Sequence, residues 1–166
     1  RRDLPMNSAI HGRISPAGDT DEYRFDAKAG DTIVISVVAN RLGSQLRGVL
    51  ELFDPSGQKI ATNRGFHGLD PLLTHTATKT GVYQVRLHDL VYAGGNSHYY
   101  RLDVQTIPHP LFVHPCVVQR GHSAKLQVFG WNLGKDSQFA PYEMQDVPIA
   151  KGASSASVHL PLHGST

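Results

Sequence analysis

The sequence predicts an all-β protein: a jelly-roll-like antiparallel β-sandwich followed by a short immunoglobulin-like β segment. Three observations predict it. Apolar and polar residues alternate at period two through most of the chain, the pattern of half-buried strands. Glycine (16) and proline (10) together make up about one in six of the 166 residues, which favours many turns over long helices. β-branched residues gather in short runs bounded by Gly, Asp-Pro or Thr-Gly words. With 40% hydrophobic residues, a packed core is within reach.

Ala9 to Ile14 reads as a first strand. In Asp21 to Ala27 the odd positions from Tyr23 onward are apolar and the even ones charged, so one face is buried and the other wet. Asp31 to Ala39 is rich in β-branched residues and too short for a good helix, which makes it a central strand. Leu42, Leu46, Val49, Leu50 and Phe53 also fit helical spacing, but Gly43 and Gly48 would each cost a helix about 1 kcal/mol. A loop followed by a strand is the better reading. Val49 to Phe53 runs into the turn Asp54-Pro55-Ser56-Gly57, and Lys59 to Thr62 returns as a hairpin. Leu72 to Thr78, the turn Lys79-Thr80-Gly81 and Val82 to His88 read as a second hairpin. Tyr100, Leu102 and Val104 alternate with Arg101 and Asp103 in the last strand of this unit.

Ile107-Pro108-His109-Pro110 reads as a stiff linker, since two prolines fix φ and disfavour helix. It sets a division into residues 1–106, a β-sandwich, and 107–166, an immunoglobulin-like segment shorter than the ~100 residues of a full domain of that type. In the second part Leu111 to Val113, Ser123 to Trp131 and the tail from Ser154 to Leu162 read as strands.

Lys plus Arg is 16 against 14 Asp plus Glu, a net charge of +2, too small to suggest a nucleic-acid surface, so no nucleic-acid partner is expected. No apolar run is long enough to span a bilayer, so membrane insertion is not expected. The single cysteine, Cys116, excludes an internal disulfide framework and a CxxC metal site. The chain opens with Arg1-Arg2-Asp3 rather than a start Met. It reads as an excised or processed piece whose export signal would lie outside it.

Catalytic-looking words are few. Ser56-Gly57-Gln58-Lys59 matches S-x-x-K and Lys79-Thr80-Gly81 matches K-T-G. That chemistry needs Ser and Lys on one helical face, which a Pro-Ser-Gly turn does not supply. No nucleophile, base and orienting group stand in a plausible context, so no catalytic residue is assigned. Among ten histidines there is neither H-x-H nor H-E-x-x-H, and scattered surface histidines are the simpler account. Asp19, Asp21 and Glu22 are carboxylates at calcium-ligand density. The simpler reading is that Asp19 and Asp21 accept hydrogen bonds from turn amides ahead of the strand, because calcium requires six to eight oxygens.

Several elements, in order, resemble the bacterial pre-peptidase C-terminal domain. They are Gly12-Arg13-Ile14, Gly18-Asp19-Thr20-Asp21-Glu22-Tyr23-Arg24-Phe25, Lys28-Ala29-Gly30-Asp31, Leu50 to Phe53 with Asp54-Pro55-Ser56-Gly57, Asp70-Pro71-Leu72-Leu73, Gly81-Val82-Tyr83-Gln84-Val85 with Asp89, and Tyr99-Tyr100-Arg101-Leu102. Val113-His114-Pro115, Gln119-Arg120-Gly121 and Val128 to Leu133 resemble the opening of an immunoglobulin-like module of the IPT/TIG type. The first resemblance implies a non-catalytic accessory module of a secreted, periplasmic or cell-surface bacterial protein, associated with a peptidase, that positions, spaces or stabilises other domains of its parent chain. The second reading is a ligand-binding module for extracellular protein or carbohydrate, and an exposed aromatic strip would distinguish the two. Collagenase-type members of this family bind calcium through an acidic N-terminal linker and an Asp pair, here Asp19 and Asp21. The linker of this chain, Arg1 to Asn7, offers one carboxylate and two arginines, so no cofactor is expected and any calcium binding should be weak.

Overall fold

The computed structural model describes residues 1–134, 140–152 and 155, with only the backbone of 140, 141, 145 and 146. The chain divides into two compact units, Arg1–Thr106 and Ile107–Thr166.

In the first unit, strands β1 (Arg2–Asp3), β2 (Ser8–Arg13), β3 (Thr20–Ala27), β4 (Thr32–Val38), β5 (Gly48–Phe53), β6 (Lys59–Asn63), β7 (Leu72–Thr76), β8 (Gly81–Asp89) and β9 (Tyr99–Gln105) follow one another. They form a five-stranded sheet, order β1-β3-β8-β5-β6, and a four-stranded sheet, order β2-β9-β4-β7. Every pairing is antiparallel except β1 with β3.

Period two decides which side chains are enclosed. Tyr23, Phe25, Ile33, Ile35, Leu50, Leu52, Tyr83, Val85, Leu87, Tyr100, Leu102 and Val104 are all at most 2% exposed and belong to one core. Arg24 and Asp26, between them on β3, are exposed. Ile14, Leu46 and Leu73 belong to the same core. The segment from Leu42 to Phe53 that also fits helical spacing is a loop followed by β5, as expected; the one helical turn beside it is the 3-10 turn Asn40–Leu42, closed by Gly43 at φ +83°. A left-handed residue there ends the turn and costs glycine nothing.

The expected hairpin between Leu72–Thr78 and Val82–His88 does not form. β7 pairs with β4 in one sheet, and β8 lies between β3 and β5 in the other. Alternation assigns each strand a face but not a neighbour. Residues 77–80 step across the sandwich, and the β4–β7 pairing continues through Ala77 N–H to the Asp31 carbonyl at 2.8 Å.

Following the antiparallel registers through both sheets, the β2–β3, β4–β5, β6–β7 and β8–β9 connections all fall at one end of the sandwich. Backbone bonds tie them together: Gly18 N–H to Tyr92 O (2.8 Å), Gln45 N–H to Ser97 O (2.8 Å), Leu90 N–H to Arg47 O (2.8 Å) and Ile14 N–H to His98 O (3.0 Å). This is called the loop end below.

In the second unit, β10 (His109–His114), β11 (Ser123–Trp131) and β12 (Ala140–Pro148) form an antiparallel sheet in sequence order. Pro110, expected in the linker, is a strand residue paired with Gly130. β10 is an edge strand of this sheet, where a missing N–H is tolerated. A side chain on Gly130 would collide with the His109 carbonyl and Pro110 Cα. Phe112 stacks on Phe129 with centroids 4.7 Å apart. The strand expected from Ser154 to Leu162 lies outside the described residues.

Candidate functional site

Asp19 and Asp21, the acids that sequence reasoning singled out, lie at the loop end. Asp19 sits just before β3, and both its oxygens accept backbone amides, from Ser15 at 3.0 Å and Thr20 at 2.8 Å. Asp21 does not cap a turn, contrary to expectation. It is the second residue of β3, and its Oδ2 accepts the Tyr100 hydroxyl at 2.5 Å. Tyr23 in turn donates to the Tyr100 oxygen at 2.6 Å, because Tyr100's own proton is committed to the carboxylate. Burial pushes the Tyr100 phenol well above its ordinary range, and its bonds to Asp21 and Tyr23 push it further. The chain Tyr23–Tyr100–Asp21 is thus a fixed proton arrangement. Tyr100 fits because the residue paired with it on β2 is Gly12: a Cβ there would fall on the phenol ring and oxygen.

Two further carboxylates, Asp70 and Asp89, stand at this end in the Asp70-Pro71 and Gly81 to Asp89 elements. Asp70 is 1% exposed. It accepts the amides of Ala39 (3.0 Å), Asn40 (2.7 Å) and Arg41 (3.2 Å) and the Arg41 Nε (2.8 Å). Its own carbonyl accepts the amides of Phe66 and His67, so one residue clamps the β4–β5 and β6–β7 loops together. Burial pushes its pKa up, but the guanidinium and three amides outweigh that and hold it below the ordinary value. Asp89, 0% exposed, accepts the amides of Arg47 (2.9 Å), Val91 (2.9 Å) and Ala93 (3.0 Å). These amides outweigh the effect of burial in the same way. The signal in sequence was an acidic residue at the edge of a glycine-containing loop; its partners, 30 and 42 residues away, were not legible.

The catalytic-looking words are turns at the opposite end. Asp54 Oδ1 accepts the Ser56 hydroxyl (2.6 Å) and the amides of Ser56 and Gln58 (2.9 Å each). The Ser56 hydroxyl bond is the main reason its pKa falls below the ordinary value. Lys59 pairs with Glu51 (3.0 Å), Lys79 with Asp54 (3.6 Å), and the Thr80 hydroxyl accepts the Ala29 amide.

Glu22, the third acid of the calcium-like cluster, pairs with Arg1 at 2.7 Å and Arg86 at 2.8 Å. The Arg1 bond is the chief reason its pKa lies below the usual value. The one carboxylate of the N-terminal segment, Asp3, pairs with Arg24 at 2.9 Å. Among the described residues no group of three or more His, Cys, Asp or Glu side chains converges as a metal cage.

The loop end also carries most of the exposed large apolar side chains of this unit. A groove of about 440 Å³ is lined by His11, Gly12, Arg13, Leu42, Tyr99 and Tyr100. The Tyr99 hydroxyl donates to the Leu42 carbonyl at 3.0 Å, and the Tyr92 ring lies parallel to His88 with centroids 4.9 Å apart. Among the described residues no helix is long and apolar enough to cross a membrane.

The solved structure of the pre-peptidase C-terminal domain of a collagenase from Bacillus anthracis superposes with a TM-score of 0.50 and 23% identity, covering 62% of this chain and 92% of that one. A periplasmic inhibitor of g-type lysozyme from Aeromonas hydrophila, PliG, matches with a TM-score of 0.46 and 20% identity over 62% of this chain and 96% of its own. No curated protein sequence matches the chain. The model of the bacterial pre-peptidase C-terminal domain matches residues 19–89, from the first carboxylate of the loop end to the last. Over residues 19–89 the first unit therefore matches the bacterial pre-peptidase C-terminal domain.

Proposed function

We propose that the chain is a non-catalytic accessory region of an exported bacterial protein, associated with a peptidase, in which the first unit positions, spaces or stabilises other domains and an immunoglobulin-like segment follows it. One observation carries this reading. The acidic groups that would supply a base, a nucleophile or a metal ligand are engaged instead by backbone amides, hydroxyls or guanidinium groups of the same unit. The purified chain is expected to hydrolyse neither peptide nor ester substrates above the buffer rate. Turnover that disappears in Ser56→Ala or Lys59→Ala would overturn the reading.

The same engagement bears on calcium. Asp19 already accepts two amides, Asp21 accepts a hydroxyl, and Glu22 is paired with two arginines. A cation recruiting these oxygens would have to displace those partners, and two unit charges of like sign at about 4 Å repel by about 1 kcal/mol even in water. Calorimetric titration is expected to give a millimolar or undetectable affinity. A micromolar dissociation constant that is lost in Asp21→Asn would show that the acids form a metal site.

A further inference from the structure

Seven large apolar side chains of the first unit stand exposed: Leu42, Phe66, Leu69, Val82, Val91, Tyr92 and Tyr99. All but Val82 lie at the loop end, on the β4–β5, β6–β7 and β8–β9 connections or at the first residue of β9. The loops at the other end, around residues 28–31, 54–58 and 77–80, contribute none of them. Single exposed apolar residues are ordinary on a protein surface, whereas a concentration on neighbouring loops marks an interaction surface.

Charge is segregated in the same place. The exposed charged side chains on these connections and the strand end beside them are Arg13, Arg41, Arg47 and Arg64. The carboxylates of the same region, Asp19, Asp70 and Asp89, are turned onto backbone amides, Asp70 also holding the Arg41 guanidinium, and the last two are at most 1% exposed. Among the described residues no carboxylate pairs with Arg13, Arg47 or Arg64. What this end presents outward is therefore apolar and cationic. The same carboxylates fix the loops, so the surface is already ordered before anything binds, which lowers the entropic cost of binding.

We infer that the loop end is a docking surface for an acidic polypeptide segment bearing apolar or aromatic side chains. Guanidinium groups pair with carboxylates in a two-pronged geometry, and Leu42, Phe66 and Tyr99 offer flat apolar contacts between them. A surface spread over several loops suits a chain better than a small molecule, which requires an enclosing cavity. The inference rests on the accessory-domain reading. Its test measures binding and not turnover, so failure of one is distinguishable from failure of the other.

The test is a fluorescence titration of the full 166-residue chain with a labelled random Glu–Tyr copolymer at low ionic strength. Saturable binding is expected. Phe66→Ala combined with Leu42→Ala should weaken it by about tenfold or more. Arg64→Glu should weaken it several-fold at low salt, with the difference shrinking as salt screens the charge. Val82→Ala, exposed but away from this end, should leave it unchanged, and the thermal midpoint of each variant identifies those that are folded. Equal binding by all folded variants, absence of saturable binding, or binding of phosphatidylglycerol vesicles or a cello-oligosaccharide in place of the copolymer would overturn the proposal.

Discussion

Asp70→Ala should lower the stability of the first unit by about 3 kcal/mol, on the order of 15 °C in its unfolding midpoint. The substitution removes the acceptor of three amides and a guanidinium at a position 1% exposed. Arg41 is 47% exposed and can return to water, so the cost comes mainly from the amides of Ala39 to Arg41. Asp70→Asn should cost less, about 1–2 kcal/mol, because it keeps one acceptor oxygen, although the second is replaced by an NH₂ that faces donors. The pH dependence follows from the direction of the shift. The folded pKa lies below the unfolded value of about 3.9. The carboxylate's contribution is therefore complete above that value and is lost as pH falls through the folded one. Urea unfolding of the native chain and Asp70→Asn should thus differ at neutral pH and converge in acid. A gap that stays constant down to low pH would mean that the charge is not what holds the loops.

Gly12→Ala is the second large effect, expected at about 2–3 kcal/mol. The added methyl meets the phenol end of Tyr100, a ring 2% exposed. The ring has to shift, and its hydroxyl then loses Asp21 or Tyr23. In a Tyr100→Phe background one colliding atom is gone and there is no hydroxyl bond left to lose, although the ring carbons still meet the methyl, so the same glycine substitution should cost less without becoming neutral, a non-additivity that a double-mutant cycle measures directly. Gly18→Ala provides the contrast. Its φ is +84° with nothing within 4 Å of the new methyl, so only backbone strain of about 1–2 kcal/mol is at stake.

These two sites show which parts of the fold the sequence displays and which it conceals. Faces were legible because burial follows directly from alternation: Tyr23, Val85 and Leu102 are core residues for the same reason that Arg24, Gln84 and Arg101 are not. The Asp54 turn was legible because donor and acceptor lie two to four residues apart. Partnership across the sandwich was not. Nothing local in Leu72–Thr76 states that β4 is its neighbour, and Asp21 reads as a turn residue until Tyr100, 79 positions away, is brought to it. The concentration of exposed apolar side chains at one end was hidden for the same reason, since residues 42, 66, 92 and 99 come to the same end only when three connections are gathered by topology. Functional surfaces on loops share this property: the scaffold is periodic and readable, while the surface is assembled from segments far apart in sequence.

The central claim is that the loop-end carboxylates are bound to the chain's own backbone and are not held open for a substrate or a metal ion. Amide hydrogen exchange of the native chain at neutral pH, resolved by residue, tests it most directly. The amides of Ala39, Asn40, Arg47, Val91 and Ala93, all bonded to Asp70 or Asp89, should exchange nearly as slowly as those of strands β4 and β8, although most of them lie in loops. Exchange of these amides at the rate of exposed loops, with the strands still protected, would contradict the account.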